Sequence, residues 1–204
     1  MTNEIEAKPV NPLIEYRKEK KEELPVYFTD EELRRFFSAI DNPRDYVFFM
    51  ALLGTGKRIS ELLSIKRNDI DLMNRTIRII TLKKRKKKIV QIRITEKLAY
   101  QLSIYISPLK AENPIFDFTR QYADTLFKKY SAKAGINYKR VSCHVFRHTF
   151  AIKWLEQGLP IHKLKRHLDH SHINITMEYL KVVDSDYFKT MDSFEIFDFM
   201  KNDR

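Results

Sequence analysis

The segment from Cys143 to Gly158 constrains the fold most, because its pattern predicts a helix that is apolar on nearly every side. Its narrow polar stripe consists of Lys153, Glu156 and Gln157, which lie within about 100° of one another at 3.6 residues per turn. The side chains of His144, Arg147 and His148 share a different face, turned away from that stripe. A buried charge without a partner costs several kcal/mol or more, so we expect Arg147 to meet an anion.

The overall charge indicates what kind of anion to expect. The 204 residues contain 38 Lys and Arg against 27 Asp and Glu, a net charge of +11 that favours a polyanion such as nucleic acid. An AT-rich genome encodes many lysines and would raise the net charge of a protein that has no such partner, so charge has to be judged together with motifs. The single cysteine, Cys143, and the lack of a long apolar run lead us to expect a cytoplasmic, nucleoid-associated protein.

The hydrophobic periodicity predicts a mainly α domain with a small antiparallel β-sheet (α+β). Residues 1–26 are expected to form a flexible charged arm, 27–183 one domain, and 184–204 an apolar tail that docks on a neighbouring protomer. A capping box begins a first helix at Thr29, and Asn42 followed by Pro43 begins a second one. Later helices are predicted over 95–107, 120–134, 143–158, 160–168 and 173–180, and strands over 69–72, 76–82 and 89–94, with a short extended piece at 115–118.

Two local features carry charges that the fold itself does not require. A turn containing Gly54 and Gly56 leads into a short helix with Arg58 at its start and Glu61 three residues later. For a lone pair of this kind, a surface ion pair is the more common explanation. The second feature is a run of six cations between two predicted strands, which could be a solvated turn or could contact phosphates: Lys83, Lys84, Arg85, Lys86, Lys87 and Lys88.

Arginine, histidine, lysine and tyrosine together could cleave a DNA phosphodiester without a metal ion. The reaction needs positive charge on the non-bridging oxygens, a nucleophile, and a proton donor for the leaving 5′ oxygen. Arginine binds phosphate bidentately and stays charged. Tyrosine, with a pKa near 10, attacks at neutral pH only where cations or a base assist it. A covalent phosphotyrosine would store the bond energy and allow strand transfer without ATP.

Three motifs in order carry a resemblance to a known family. They are Thr55-Gly-Lys-Arg-Ile-Ser-Glu-Leu62, His144-x-x-Arg147-His148-Thr-Phe, and Leu168-Asp-His170-Ser followed nine residues later by Tyr179. Together they resemble the tyrosine site-specific recombinases, which include lambda-integrase-like phage integrases and Xer-type recombinases. The resemblance covers roughly residues 25–180 and implies the DNA breaking-rejoining fold of the catalytic domain in a short, catalytic-domain-only form.

The resemblance implies a role for each matched residue. Arg58 and Arg147 would clamp the scissile phosphate, His170 would hydrogen-bond it, and Tyr179 would form the 3′-phosphotyrosine. His144 would be the general acid/base, and Lys83 the general acid for the 5′ hydroxyl, with Lys84 and Lys86 as competitors for that role. Glu61 would support Arg58. From the residues themselves, we expect His148 to be a packing residue and the rest of the cationic run to bind DNA, namely Lys84, Arg85, Lys86, Lys87 and Lys88. The implied partners are double-stranded DNA with a recombination site, three further copies of the chain in a tetramer, and an accessory DNA-bending protein, with no metal or other cofactor.

Two residues depart from the family pattern. Asp169 stands where glycine is usual, so its turn is expected to be strained. Lys57 occupies a usually apolar position.

Two alternative functions are considered. A catalytically silent DNA-binding homologue is disfavoured because no catalytic residue is missing. A type IB topoisomerase is disfavoured by the length of the chain and by the spacing of its motifs. A metal site at His144 and His148 is disfavoured because no HExxH motif or nearby carboxylate supports it.

Overall fold

The computed structural model describes residues 25–83, 86–136 and 142–183, with the backbone alone at 82, 83, 86 and 87. Most of the expected arm, the whole of the expected tail, and Lys84 and Arg85 lie outside these ranges. Within them no helix is long and apolar enough to cross a membrane. The mainly α architecture with one small antiparallel sheet is confirmed.

Eight α-helices and three strands make up the part of the chain that is described. In chain order they are α1 Asp30–Ser38, α2 Pro43–Thr55, α3 Ile59–Leu63, β1 Ile70–Asp71, β2 Thr76–Lys83, β3 Lys86–Arg93, α4 Glu96–Ile106, α5 Arg120–Lys133, α6 His144–Glu156, α7 Ile161–Leu168 and α8 Asn174–Val183, with a short 3₁₀ turn at Arg67–Asp69 before β1. The strands pair in the order β1, β2, β3, all antiparallel.

The helix starts follow the local signals in the sequence. The hydroxyl of Thr29 accepts a hydrogen bond from the amide of Glu32, whose carboxylate accepts one from the amide of Thr29, which completes the capping box. The side chain of Asn42 caps α2, with Pro43 as the first helical residue. These ends are defined by contacts within four residues, which is why the sequence predicts them.

The hairpin between β2 and β3 differs from the prediction. The third strand was expected to begin at Ile89, but the ladder runs through Thr81 opposite Lys88 and ends at Lys83 opposite Lys86. The six-cation run is therefore mostly strand, and only residues 84 and 85 lie between the paired positions. Residues Lys86 to Lys88 pair with β2 through their backbone, although their charged side chains lack the alternation that indicates a strand. The first strand is also shorter than expected, and the extended piece predicted at 115–118 is reduced to a bridge between Pro114 and Lys66.

Two hydrophobic clusters form the core, and α6 belongs to both. The larger cluster centres on Phe36, whose ring lies 5.1–5.8 Å from those of Phe28, Phe49, Phe127 and Phe146. The smaller cluster joins the second half of α6 to α7 and α8 and comprises Ala151, Ile152, Leu155, Leu164, Leu168 and Tyr179. Arg147 on α6 therefore lies where the two clusters meet.

Candidate active site

A cleft of about 640 Å³ lies at the junction of the two clusters. Its lining includes seven of the eight residues given catalytic or supporting roles in the sequence analysis, namely Arg58, Glu61, His144, Arg147, His148, His170 and Tyr179. The eighth, Lys83, ends β2 just after Ile80 and Thr81, which also line the cleft. The three motifs, separated by up to 121 positions in the chain, are thus brought together by folding.

Arg58 and Glu61 form more than a surface ion pair. The guanidinium donates to the Glu61 carboxylate at 3.0 Å, and the second carboxylate oxygen accepts from the backbone amide of Arg58 at 3.0 Å. Glu61 is 7% exposed, whereas 45% of the Arg58 side chain is exposed and it lines the cleft. Glu61 therefore holds both the start of α3 and the direction of the arginine side chain.

Arg147 is almost completely buried, with 1% of its surface exposed. It meets two backbone carbonyls: one nitrogen donates to the oxygen of Gly56 at 3.0 Å and another to the oxygen of Leu168 at 2.6 Å. These bonds use two of the five N–H donors of a guanidinium. Burial and the nearby Arg58 lower its pKa to about 10, so it remains protonated at neutral pH. Arg147 thus links the turn before Arg58 to the turn before His170 while lining the cleft.

The nucleophile predicted by the resemblance lies against a histidine that was expected only to pack. The hydroxyl of Tyr179 is 3.0 Å from Nδ1 of His148, and Tyr179 is 3% exposed. Burial raises the pKa of Tyr179, while Arg147 and Arg58 oppose that shift. Burial, with His144 and Arg147 beside it, lowers the pKa of His148 to about 4, so its ring is neutral and one nitrogen can accept a proton. His144 is exposed, and its ring meets that of His148 edge-on at 4.9 Å.

His170 is held in place by α8 and by a strained turn. Its Nδ1 lies 2.9 Å from the hydroxyl of the fully buried Thr176. Burial and the two arginines lower the pKa of His170 to about 4. Asp169 before it has φ 52° and ψ 43°, the left-handed conformation expected at a position where glycine is usual. Its carboxylate lies 3.5 Å from the ammonium of Lys88 on β3, which connects the sheet to this turn.

Lys57, at the usually apolar position beside Arg58, is buried at 2% exposure. Its ammonium donates to the backbone carbonyl of His167, and Nε2 of His167 lies 2.8 Å from the carbonyl of Thr55. The His167 ring stacks on Phe150 at 4.9 Å. Lys57 lies in the turn before α3 and its partner is 110 positions away, so no local pattern predicts this contact.

The amino-acid sequence of this chain is similar to those of known recombinases. Residues 27–185 match the sequence model of the phage integrase family. A tyrosine recombinase of Pseudothermotoga lettingae is 31% identical over 189 residues, 89% of this chain and 65% of that protein. The tyrosine recombinase XerA of Saccharolobus solfataricus is 32% identical over 166 residues, 79% of this chain and 55% of that protein. The chain thus spans between about half and two thirds of these relatives.

Solved structures share the fold. A crystal structure of XerA recombinase superposes with a TM-score of 0.69 at 26% identity, over 86% of this chain and 66% of that one. The catalytic domain of bacteriophage HP1 integrase gives a TM-score of 0.64 at 24% identity, over 82% of this chain and 94% of that one.

Proposed function

The chain belongs to the phage integrase family of tyrosine recombinases, and on that premise we propose that it cleaves and rejoins DNA at specific sites through a covalent 3′-phosphotyrosine, without metal or ATP. One observation carries the proposal. A buried tyrosine hydroxyl contacts a neutral histidine at 3.0 Å in a cleft that two arginines also line. That set of groups can bind a phosphodiester, attack it and accept the proton of the nucleophile.

The scissile phosphate would lie between Arg58, Arg147 and His170. Arg58 offers its guanidinium at the open side of the cleft, and Arg147 offers the N–H groups that its two carbonyl bonds leave. A neutral His170 whose Nδ1 accepts from the Thr176 hydroxyl carries its hydrogen on Nε2, which can donate to a phosphate oxygen. The positive charge is then present before the transition state forms, so little reorganisation is needed.

Tyr179 would attack the phosphorus as its proton moves to Nδ1 of His148. A bond forms between the tyrosine oxygen and phosphorus, the bond from phosphorus to the 5′ oxygen breaks, and the leaving oxygen takes a proton from a cationic donor. Lys83, with Lys84 and Lys86 as alternatives, is proposed as that donor because β2 and β3 run from the cleft wall into the hairpin. Attack by a 5′ hydroxyl of another strand reverses the steps and reseals DNA.

Specific double-stranded DNA is the proposed partner, and Lys84 to Lys88 are proposed to contact its phosphates. A crystal structure of the XerH site-specific recombinase bound to palindromic difH substrate in a post-cleavage complex has the same fold, with a TM-score of 0.66 at 21% identity. We propose a tetramer on DNA, assembled through residues 184–204, with an accessory DNA-bending protein. Recombination requires two duplexes, and each of their four strands requires a nucleophile.

Replacement of Tyr179 tests the assignment most directly. The substrate is a nicked suicide duplex built on sites recovered from random-sequence DNA by binding selection, and the product is a covalent adduct that survives denaturation. We expect the adduct with the wild-type chain and none with Tyr179→Phe, because only the phenolic oxygen can bond to phosphorus. Tyr100→Phe, at an exposed position, is the control and should keep the adduct. An adduct formed by Tyr179→Phe would refute the nucleophile, and adducts on duplexes of any sequence would favour a topoisomerase.

A further inference from the structure

The end of α7 presents an electrostatic problem for a phosphate site. The last carbonyls of a helix carry partial negative charge and have no partner within the helix. Helix α7 ends at Leu168, two residues before His170, so this negative end lies beside the cleft that is proposed to hold a phosphate. An anion would be repelled there unless cations occupy those carbonyls.

Two buried cations do so. The guanidinium of Arg147 donates to the carbonyl of Leu168, and the ammonium of Lys57 donates to the carbonyl of His167, the residue before it. Lys57 itself does not line the cleft, but its charge interacts with those of four residues that do. These are Arg58, Glu61, Arg147 and Asp169.

The same contacts join two turns that carry residues of the site. The carbonyl of Thr55 is 2.8 Å from Nε2 of His167, and the carbonyl of Gly56 accepts from Arg147. Segment 55–57, which leads into Arg58, is thus tied at three points, twice to His167 and once to Arg147. Arg147 in turn donates to the carbonyl of Leu168, two residues before His170. Lys57 supplies one of these ties with a side chain that is itself buried.

We propose that Lys57 is a positioning residue of the phosphate site: its buried ammonium neutralises the C-terminal end of α7, ties the Arg58 turn to it, and adds positive charge behind a bound anion. The proposal rests on the proposed function, which supplies the DNA phosphate as the natural anion. It concerns a residue that contacts neither the phosphate nor the reacting atoms, and it gives a physical reason for a lysine at a usually apolar position.

The charge of Lys57 can be tested through the pH dependence of anion binding, which a purely structural role of this side chain would not affect. Burial, with the charges of Arg147 and Arg58, lowers its pKa to about 8, while Glu61 and Asp169 oppose that shift. The pKa of the adjacent His167 is about 4 and that of Arg147 about 10, so of these three groups Lys57 changes its charge most between pH 7 and 9. Sulfate, which keeps its charge over that range, is the probe. If Lys57 supports anion binding, sulfate must bind more weakly as pH rises through about 8.

The first measurement uses the unmodified chain labelled at the lysine Cε carbon. Lys57 is titrated by NMR with and without sulfate, and its signal is assigned from whichever of Lys57→Met and Lys57→Arg folds. By linkage, we expect sulfate to raise its apparent pKa by about half a unit, which corresponds to about threefold tighter binding to the charged form. Arg58→Met, which removes an exposed arginine of the cleft, should abolish the shift. A pKa that sulfate leaves unchanged would overturn the proposal.

The second measurement is sulfate affinity against pH. We expect the wild-type affinity to fall about threefold between pH 7 and 9 and that of Lys57→Met to be flat over the range. Lys128→Met, at an exposed position on α5, is the matched control and should behave as wild type. Parallel curves for wild type and Lys57→Met would overturn the proposal. Neither measurement needs DNA cleavage, so absence of the Tyr179 adduct would refute the proposed function without affecting these outcomes.

Discussion

At the scale of single residues, the environment of Tyr179 decides how it can react. Its hydroxyl is buried and burial raises its pKa, so very little phenolate exists at neutral pH. The nearby arginines favour the phenolate, but that effect does not overcome burial. A proton acceptor is therefore needed, and His148, with its pKa near 4, is neutral and 3.0 Å away. The family resemblance had assigned this role to His144.

Replacing each histidine with glutamine separates the two assignments. We expect His148→Gln to slow single-turnover formation of the Tyr179 adduct by about 10²-fold or more, the usual contribution of a general base, without weakening DNA binding. His144→Gln should slow it less, because His144 contacts the ring of His148 rather than the hydroxyl of Tyr179. His162→Gln, at an exposed site on α7, is the control. A larger loss of rate with His144→Gln than with His148→Gln would restore the original assignment.

At the scale of elements, the turn between α2 and α3 sets the position of Arg58. Gly56 ends α2 with φ 60° and ψ 16°, a conformation that costs other residues about 1–2 kcal/mol. A Cβ atom at this position would lie 2.5 Å from a ring carbon of Phe150, which is itself stacked on His167. The turn is therefore constrained both by its backbone and by a close neighbour from α6.

We predict that Gly56→Ala lowers the free energy of unfolding by about 3 kcal/mol or more, because a steric clash adds to the backbone cost. Gly158→Ala, at φ 69° with no heavy atom within 4 Å of its added Cβ, is the matched control and should lose only the backbone cost of about 1–2 kcal/mol. Urea denaturation of both variants measures the difference. Equal losses would show that the approach of Phe150 does not restrict the turn.

The elements also show which parts of this molecule can be predicted from sequence. The starts of α1 and α2 were predictable because Thr29, Glu32 and Asn42 act within a few residues. The start of β3 was not, since Lys86 to Lys88 join the ladder through backbone bonds that leave no pattern in the side chains. The left-handed turn at Asp169 was expected from the family pattern, which carries information that local chemistry lacks.

For the site, the sequence predicted which residues take part but not how they contact one another. The motifs identified seven of the residues that line the cleft, because family resemblance preserves identity and order. They could not show that His148 rather than His144 faces Tyr179, since both lie on one face of α6 and the choice depends on where α8 packs. Nor could they place Lys57, whose partner His167 is 110 positions away.

At the scale of the whole molecule, one buried and two half-buried histidines couple stability to pH. Burial is the main cause that lowers the pKa values of His148, His167 and His170 to about 4. In the unfolded chain these histidines have pKa values near 6.5 and take up protons first on acidification. The unfolded state then binds more protons than the folded state, so stability is fully present above about pH 6.5 and is lost as pH falls toward 4.

We predict that the free energy of unfolding decreases between pH 6.5 and 4, with a slope of at most about 1.4 kcal/mol per pH unit for each of these histidines. Urea denaturation at a series of pH values measures the slope. His167→Phe keeps an aromatic ring against Phe150 and should give a shallower slope, although it loses the bond to Thr55 and is less stable at pH 7. His162→Gln should leave the slope unchanged. A slope that His167→Phe does not alter would refute this origin.

The hydrogen bonds of Arg147 determine which neighbouring positions can accept substitutions. The arginine bonds to the main-chain oxygens of positions 56 and 168, so its aim depends on the path of the backbone. At position 56 that path requires glycine, whereas at position 168 the bond does not depend on the side chain. Position 168 can therefore exchange one apolar residue for another without releasing the arginine. Mutational scanning should therefore find position 168 tolerant of other apolar residues and position 56 intolerant of any replacement for glycine.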